Sequence, residues 1–584
     1  MSIERAENRI QQSSASRKSM TFEMTTPEGT VRRELPFIIG VMADLSGHPG
    51  KYSPGLLERK FLEINRDNFE SVLASVAPRL LLEVPNRLGT GESRMKVELY
   101  FKALSDFEPW AVARRIPVLW ERLMNRGELR GRQPEPGLNQ VGGLLEQILQ
   151  QTETRSPQTN RASSADEMIS NQLDEIIHAP EFQALEATWR GLWFLVSNIE
   201  SSPILKVRVL DISKRLLLHD LQKAVSYDQT IAFKRVHDDE YGVIGGSPYG
   251  VLIGDYEFSN HPEDMKILEE MAAIAATINA PFVAAASPRL FGCEEFAGLL
   301  ERGSLGKIFE GVAYARWRSF RASGASRYVG LVLPRVLYRI PYGRSNESVR
   351  GLDYEENAAA WDRPAYLWGN AAYVFAARLA AAFSAHGICT EIRGLRGGGL
   401  VTELTVATSA ASQGPIAPPG PTEISLSEGP ARELSGLGFL PLAHDPEAGW
   451  TAFLETRSCC KPALYARPEA TIDARLAADL RCVLAISRFV LYVKVITLEI
   501  AHRTSSLENC VELLGRWLKQ SVRPTGEIGS ESAAIAPLRE ARIEIIRTPG
   551  QVGVRQIALL LLPNLGEEKL TSPIRLVVDV PGLR

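Results

Sequence analysis

The sequence predicts a multidomain protein of mixed α/β class, and three observations lead there. Its 584 residues exceed what one hydrophobic core ordinarily organises. Its composition, 45% hydrophobic and 23% charged, is that of a foldable globular chain. Short apolar runs with strand character alternate with longer segments whose apolar residues recur at helical spacing.

In chain order, residues 1–19 form a flexible arm in which Glu4, Arg5, Glu7 and Arg9 mix with Gln and Ser, without the apolar stretch of a secretory signal. Met20 to Thr25 and Thr30 to Leu35 read as two strands around Thr26-Pro27-Glu28-Gly29, followed by the apolar run Phe37 to Ala43. Leu80 to Val84 and Met95 to Phe101 read as further strands, and Phe107 to Asn125 as a helix with Pro109 near its first turn. A first domain, 20–130, is expected to close there.

Residues 131–165 turn rich in Gln, Gly, Pro, Ser and Thr, with Pro134, Pro136 and Pro157 expected to interrupt any regular element. Within this linker Leu144, Leu145, Ile148 and Leu149 form one apolar stripe on a short helix. Such a helix docks into a partner's groove or folds back on its own domain. Residues 166–393 read as an α/β domain: helix from Ala165 to Glu200, strands at Leu205–Leu210, Gly250–Asp255 and Tyr328–Leu333, helices at Pro262–Asn279 and Cys293–Leu300, and a buried Ala-rich helix from Asn370 to Phe383. A Gly- and Pro-rich connection, 394–421, is expected to divide it from a C-terminal domain, 422–584. That domain holds a long helix near Val483–Arg503 and strands at Arg542–Ile546, Gln556–Leu562 and Ile574–Val580.

A net charge of −3 supplies no global field for nucleic acid or anionic lipid. The six cysteines include no CxxC pair, and Cys459-Cys460 reads as structural; a reducing cytoplasm is the expected home. Arg378, Arg488, Lys494 and Glu499 interrupt the most apolar helices, so membrane insertion is not expected. No phosphate loop, dinucleotide fingerprint or HExxH pair occurs, so neither cofactor nor metal is expected. Asp238-Asp239-Glu240 reads as a solvated turn. Gly245-Gly246-Ser247-Pro248-Tyr249 approaches a hydrolase elbow, but Tyr249 stands where tight strand-turn-helix geometry needs glycine.

The run Glu34-Leu-Pro-Phe-Ile-Ile-Gly-Val-Met-Ala-Asp-Leu-Ser-Gly-His-Pro49, with Arg59-Lys-Phe, Arg66-Asp-Asn-Phe69, Ala77-Pro-Arg79 and Asp106-Phe-Glu-Pro109 in order, resembles the small sheath subunit of type VI secretion systems, the TssB family. From Asp174-Glu-Ile-Ile-His-Ala-Pro-Glu-Phe182 and Trp189-Arg-Gly-Leu192 onward the chain resembles the large subunit, TssC. The blocks Gly254-Asp-Tyr256, Arg327-Tyr-Val-Gly-Leu331, Tyr366-Leu-Trp-Gly-Asn370 and Arg488-Phe489 with Lys494-Val-Ile496 carry that likeness towards the C-terminus. Two departures stand out: the two subunits share one chain, and the helix around Val483–Ser506 loses part of the family's polar pattern.

The resemblance implies a non-enzymatic, multidomain contractile-sheath fold with a shared inter-protomer β-sheet. Copies would stack as hexameric rings into a helical tube around an inner-tube protein, on baseplate components, and contract to a shorter, wider form. Candidate exchanged strands are Met20, Phe22 and Met24 at the N-terminus and Arg542, Ile543, Ile545, Ile557 and Leu559 near the C-terminus; ordinary pairing within the chain is the alternative for each. An AAA+ disassembly unfoldase would recognise the helix of Leu144, Leu145, Ile148 and Leu149. Two other readings stay open at this point: a sheath protein of an extracellular contractile injection particle, and an α/β hydrolase-like enzyme acting through Ser247.

Overall fold

The structure, a computed structural model, describes residues 20–26, 29–47, 55–89, 93–131, 157–241, 246–343, 354–357, 366–405, 420–501, 507–522, 537–546, 556–566, 568 and 570–579. Strands β1 (Thr21–Thr26) and β2 (Gly29–Glu34) make an antiparallel hairpin. Next come β3 (Phe37–Ala43) and β4 (Leu62–Ile64), then a second hairpin of β5 (Arg79–Pro85) and β6 (Arg94–Tyr100). The middle of the chain supplies β7 (Leu205–Asp211), β8 (Tyr249–Phe258), β9 (Phe282–Ala286) and β10 (Val329–Leu333). A short pair, β11 (Val336–Arg339) and β12 (Leu367–Gly369), precedes β13 (Leu400–Val401), β14 (Leu440–Asp445) and β15 (Trp450–Phe453). The last sheet is built from β16 (Leu538–Ile546), β17 (Gln556–Pro563) and β18 (Ile574–Asp579).

Nine strands join in the order β13-β15-β14-β10-β9-β8-β3-β7-β4. The six from β14 to β7 run parallel, and β4, β15 and β13 close the ends antiparallel. A parallel strand buried on both faces reads as a continuous apolar run, and β3 is one: all seven of its residues are buried. Phe37, Ile39 and Val41 enter one layer with the helices Pro180–Ser197 and Ala372–His386; Ile38 and Met42 enter the other with Pro262–Ile278.

Because β3 lies between β7 and β8, the boundary expected near Arg130 separates stretches of sequence but not cores. Phe37 stacks on Phe383 at 5.0 Å, and Gly250 on β8 leaves the room: a Cβ there would lie 2.4 Å from the Phe37 ring. Phe101 stacks on Phe107 at 4.1 Å, both edge-on to Phe182, and Trp189 Nε1 donates to Leu45 O at 3.1 Å.

Four expectations on local structure need correcting. The helix read from Ala165 to Glu200 is two, Pro157–Ile177 and Pro180–Ser197, because Pro180 has no N–H to donate and its ring disfavours a helical residue before it. Pro117 likewise splits the Phe107–Asn125 segment into Pro109–Arg115 and Pro117–Gly131. Pro157, expected to interrupt structure, opens a helix, since the first turn tolerates a missing N–H. Finally, the glycines expected to divide two domains stitch the sheet edge instead: Gly394 N donates to Phe453 O at 2.8 Å and Phe453 N to Gly399 O at 2.9 Å.

Candidate assembly module

A third apolar cluster lies at the C-terminal end. The helices Leu480–Ala501 and Leu507–Lys519 cover one face of the β16-β17-β18 sheet, and Met20, Phe22 and Leu35 of the N-terminal segment complete the same cluster. Arg488 and Tyr492, one helical turn apart, share a face of the long helix. Tyr492 OH donates to Met20 O at 2.5 Å and accepts from Leu35 N at 3.1 Å, while its ring meets Phe22 edge-on at 6.1 Å. Arg488 donates to Leu35 O at 2.5 Å and Pro36 O at 3.0 Å, and Trp517 Nε1 donates to Thr21 O at 3.0 Å. Side chains of the far C-terminal helices thus satisfy main-chain groups of a strand some 470 residues earlier, which would otherwise be buried without partners.

The module is clamped to the body through the segment between β17 and β18. Glu568 accepts from Arg481 at 2.5 Å and pairs with Arg393 at 2.8 Å. Burial works against its charge, but the hydrogen bonds from Arg393 and Arg481 outweigh it and hold the carboxyl below its usual range. Asp473 accepts from Thr571 N at 2.8 Å, Thr571 Oγ1 at 2.6 Å and Ser572 N at 2.9 Å. On the opposite side Lys494 Nζ donates to Thr277 O at 3.0 Å at the end of Pro262–Ile278; burial, opposed by Asp579, pulls its pKa down to about 8.

The sheets differ in what their edges offer. The nine-stranded sheet ends in strands of three and two residues, β4 and β13, and Asn68 Nδ2 caps Glu63 O at 3.0 Å on β4. Short, capped edges resist further pairing. In the terminal sheet β17 is paired on both sides, Ile557 with Ile545 and Val578, Leu559 with Ile543 and Leu576. Ile557 and Leu559 therefore sit on an interior strand, which corrects their placement at an exchangeable edge. Among the described residues the outer edges belong to β16, nine residues long with Arg542, Ile543 and Ile545, and to β18, six residues long; β1, with Met20 just before it and Phe22 and Met24 within it, pairs only with β2. Leu144, Leu145, Ile148 and Leu149 lie outside the described residues.

Where an open α/β sheet ordinarily binds ligands, beyond the C-terminal ends of its parallel strands, polar groups are taken by the chain itself. Asp211 Oδ1 accepts from Leu45 N at 2.9 Å and Oδ2 from Arg59 at 2.7 Å; Arg335 grips Glu257 at 2.5 and 2.7 Å. Asp255 is enclosed, burial raising its pKa against hydrogen bonds from Thr188, Tyr373 and Asn370. Arg339 lies buried between Glu186 at 3.0 Å and Glu356 at 2.7 Å. Ser247 donates its backbone N–H to Glu240 Oε2 at 3.0 Å, and Glu240 also pairs with Arg208. The acidic run around it is the short helix Asp238–Tyr241 and not a turn; Asp238 and Asp239 are exposed, as expected of a solvated run, while Arg235 pairs with Asp239 and Arg208 with Glu240. Burial pushes the Cys389 and Cys459 thiols up to about 12, so both are inert packing groups. Among the described residues no cluster of His, Cys, Asp and Glu is placed to hold a metal, and no helix is long and apolar enough to cross a membrane.

A shared core with blunted edges, joined to a terminal sheet with long open ones, defines a structural assembly subunit. Comparison with known proteins gives the family. Residues 10–161 match the type VI secretion system VipA family, 160–460 the EvpB/VipB tail sheath N-terminal domain and 469–580 the VipB tail sheath gpW/gp25-like domain. The chain is 36% identical over 452 residues to the type VI secretion system sheath protein TssC1 of Pseudomonas aeruginosa, covering 76% of this chain and 91% of that protein. It is 44% identical over 96 residues to TssB1 of the same organism, covering 16% of this chain and 55% of that protein, so it spans about half the length of this smaller relative. The chain belongs to the type VI secretion sheath family, with the TssB-like and TssC-like subunits fused in one polypeptide.

The strands of the module were legible in sequence as strands; Tyr492, Trp517, Asp473 and Glu568 were not singled out. Arg488 and Tyr492 at i and i+4 on an apolar helix were the available signal, but nothing in their spacing names a strand 470 residues away.

Proposed function

We propose that the chain is the structural protomer of a contractile sheath in which fused small and large halves move as one body. Consecutive copies would be joined by main-chain pairing along the edges of β18, of β16 beyond Leu538, which bridges Val522, and of β1 beyond Thr21, whose carbonyl Trp517 takes. The observation that carries this is the contrast of edges: capped and short on the nine-stranded sheet, long and open on the terminal module. Each net hydrogen bond contributes about 0.5–1.5 kcal/mol, so the edge of β16 beyond Leu538 can supply several kcal/mol per joint. Such joints persist while bodies repack, because strand arms act as hinges.

In this reading the sheath assembles in the cytoplasm around an inner-tube protein on a baseplate, without catalysis of its own, and contraction drives effector delivery. An AAA+ unfoldase then dismantles the contracted form through Leu144, Leu145, Ile148 and Leu149; replacing Leu145 and Ile148 by Asp is expected to abolish unfoldase binding and leave assembly intact, and unchanged binding would reject that handle. Electron microscopy of the purified chain tests the main proposal. Hollow ridged tubes are expected, and monomers persisting at high concentration would refute self-assembly.

A further inference from the structure

The loop between Cys460 and the helix Pro468–Ala477 exposes unusually large apolar side chains: Leu464 is 76% exposed, Tyr465 58%, and Ile472, one turn into the helix, 50%. It is held in place. Lys461 N donates to Arg321 O at 2.8 Å, Thr471 Oγ1 accepts from Tyr465 N at 2.9 Å and donates to Tyr465 O at 3.1 Å, and Asp473 is anchored as described. Exposed Lys461, Arg467 and Arg475 surround it, against Glu469, and among the described residues none of the three pairs with a carboxylate. Aromatic and cationic side chains fixed in water form the pattern of an interface anchor.

Beside β4, at one end of the nine-stranded sheet, lies a groove of about 320 Å³. Its floor is apolar, formed by buried Ile64, Val196 and Leu205 with half-buried Ile199. It opens into a polar trough of about 430 Å³ lined by Arg66, Asp67 and Glu200. Lys206 is already paired with Glu63 at 3.0 Å, whereas Asp67 and Glu200 pair with no cation among the described residues. A cavity of this size admits an aromatic ring and an aliphatic side chain. It does not invite an added strand, because Asn68 caps β4.

We infer that Leu464 and Tyr465 of one copy seat in the β4 groove of a second copy, with Arg467 facing Asp67 and Glu200. The chain leaves β15 and is tied beside β10, where Cys459 N donates to Val329 O at 2.8 Å, and β4 lies at the sheet's end five strands away, so the two surfaces lie apart within one chain and a contact between them runs head to tail. Heterologous contacts of that kind generate rings and helices. This contact rests on the sheath reading and adds to it a side-chain joint distinct from the strand edges.

The test places the photo-crosslinking residue p-benzoylphenylalanine at position 465 of the full chain and irradiates assembled tubes. Crosslinks to residues 62–67 or 196–207 of another copy are expected. Glu200→Lys is expected to lower tube yield about tenfold or more, and Arg467→Glu in the same chain to restore it, since like charges across an interface oppose association. Both side chains are exposed, so the melting temperature of the unassembled chain should not move. Tubes in which position 465 links elsewhere, or in which Glu200→Lys assembles normally, overturn the contact alone. A native chain that forms no tubes overturns the sheath reading and the contact with it.

Discussion

Replacing Tyr492 by Phe deletes one oxygen from the junction between the N-terminal hairpin and the terminal module. The ring and its edge-on contact with Phe22 stay, so the change isolates the hydrogen bonds of one hydroxyl: Met20 O loses its 2.5 Å donor, Leu35 N its 3.1 Å acceptor and Arg488 a longer contact at 3.5 Å. Both residues are buried, and each unpartnered main-chain group costs about 1–3 kcal/mol. Arg488 still holds Leu35 O and Pro36 O, which keeps the strand near its place and limits the total to about 2–4 kcal/mol. Local opening of the hairpin should therefore become roughly 30-fold more frequent or better. Hydrogen–deuterium exchange of peptides spanning residues 20–35 measures this directly, with β8 and β9 as internal controls. Unchanged exchange in that segment would refute the claim that Tyr492 fastens the two ends of the chain.

Other substitutions probe the shared core and the clamp. Arg339→Met leaves the Glu186 and Glu356 carboxylates buried without their common cation and should cost about 3–5 kcal/mol, read as a lowered urea midpoint. Gly250→Ala puts a methyl 2.4 Å from the Phe37 ring and should cost about 1–3 kcal/mol, partly recovered when Phe37→Leu is added. Lys494, with its pKa lowered from 10.5 to about 8, gives a pH test. Between those values the unfolded chain holds a proton that the folded chain has lost, so this residue favours folding more as pH rises. Relative to Lys494→Met, the native chain should gain about 1 kcal/mol per pH unit across that window, measured by urea denaturation at three pH values.

Much of the fold was legible because its signals are local. The strands of β5 and β6 and the three C-terminal strands alternate or run apolar between turn residues, and each forms where expected, except that β16 begins at Leu538, four residues before the expected Arg542. What local signals do not carry is the partner. Phe37–Ala43 reads as a buried strand, yet its apolar run is equally at home in a small N-terminal lobe or in the middle of a large parallel sheet. Pro117, Pro157 and Pro180 show the same limit: proline marks a boundary, but whether it ends one helix or opens the next depends on what packs around it. Of the assembly module, the strands were readable and their order was not. Only pairing shows that Ile557 and Leu559 occupy the middle.

The position of β3 bears on how the polypeptide is made. It leaves the ribosome long before β7 and β8, the neighbours that flank it, and about 200 further residues must be synthesised before both exist. At roughly 5–20 residues per second that is a delay of about 10–40 s, during which seven apolar residues wait without a sheet. A large half translated alone would meet the converse difficulty, with a gap where the interior strand β3 belongs and the edges of β7 and β8 left unsatisfied. Placing both on one messenger ensures that each nascent gap is filled by a strand already waiting on the same ribosome.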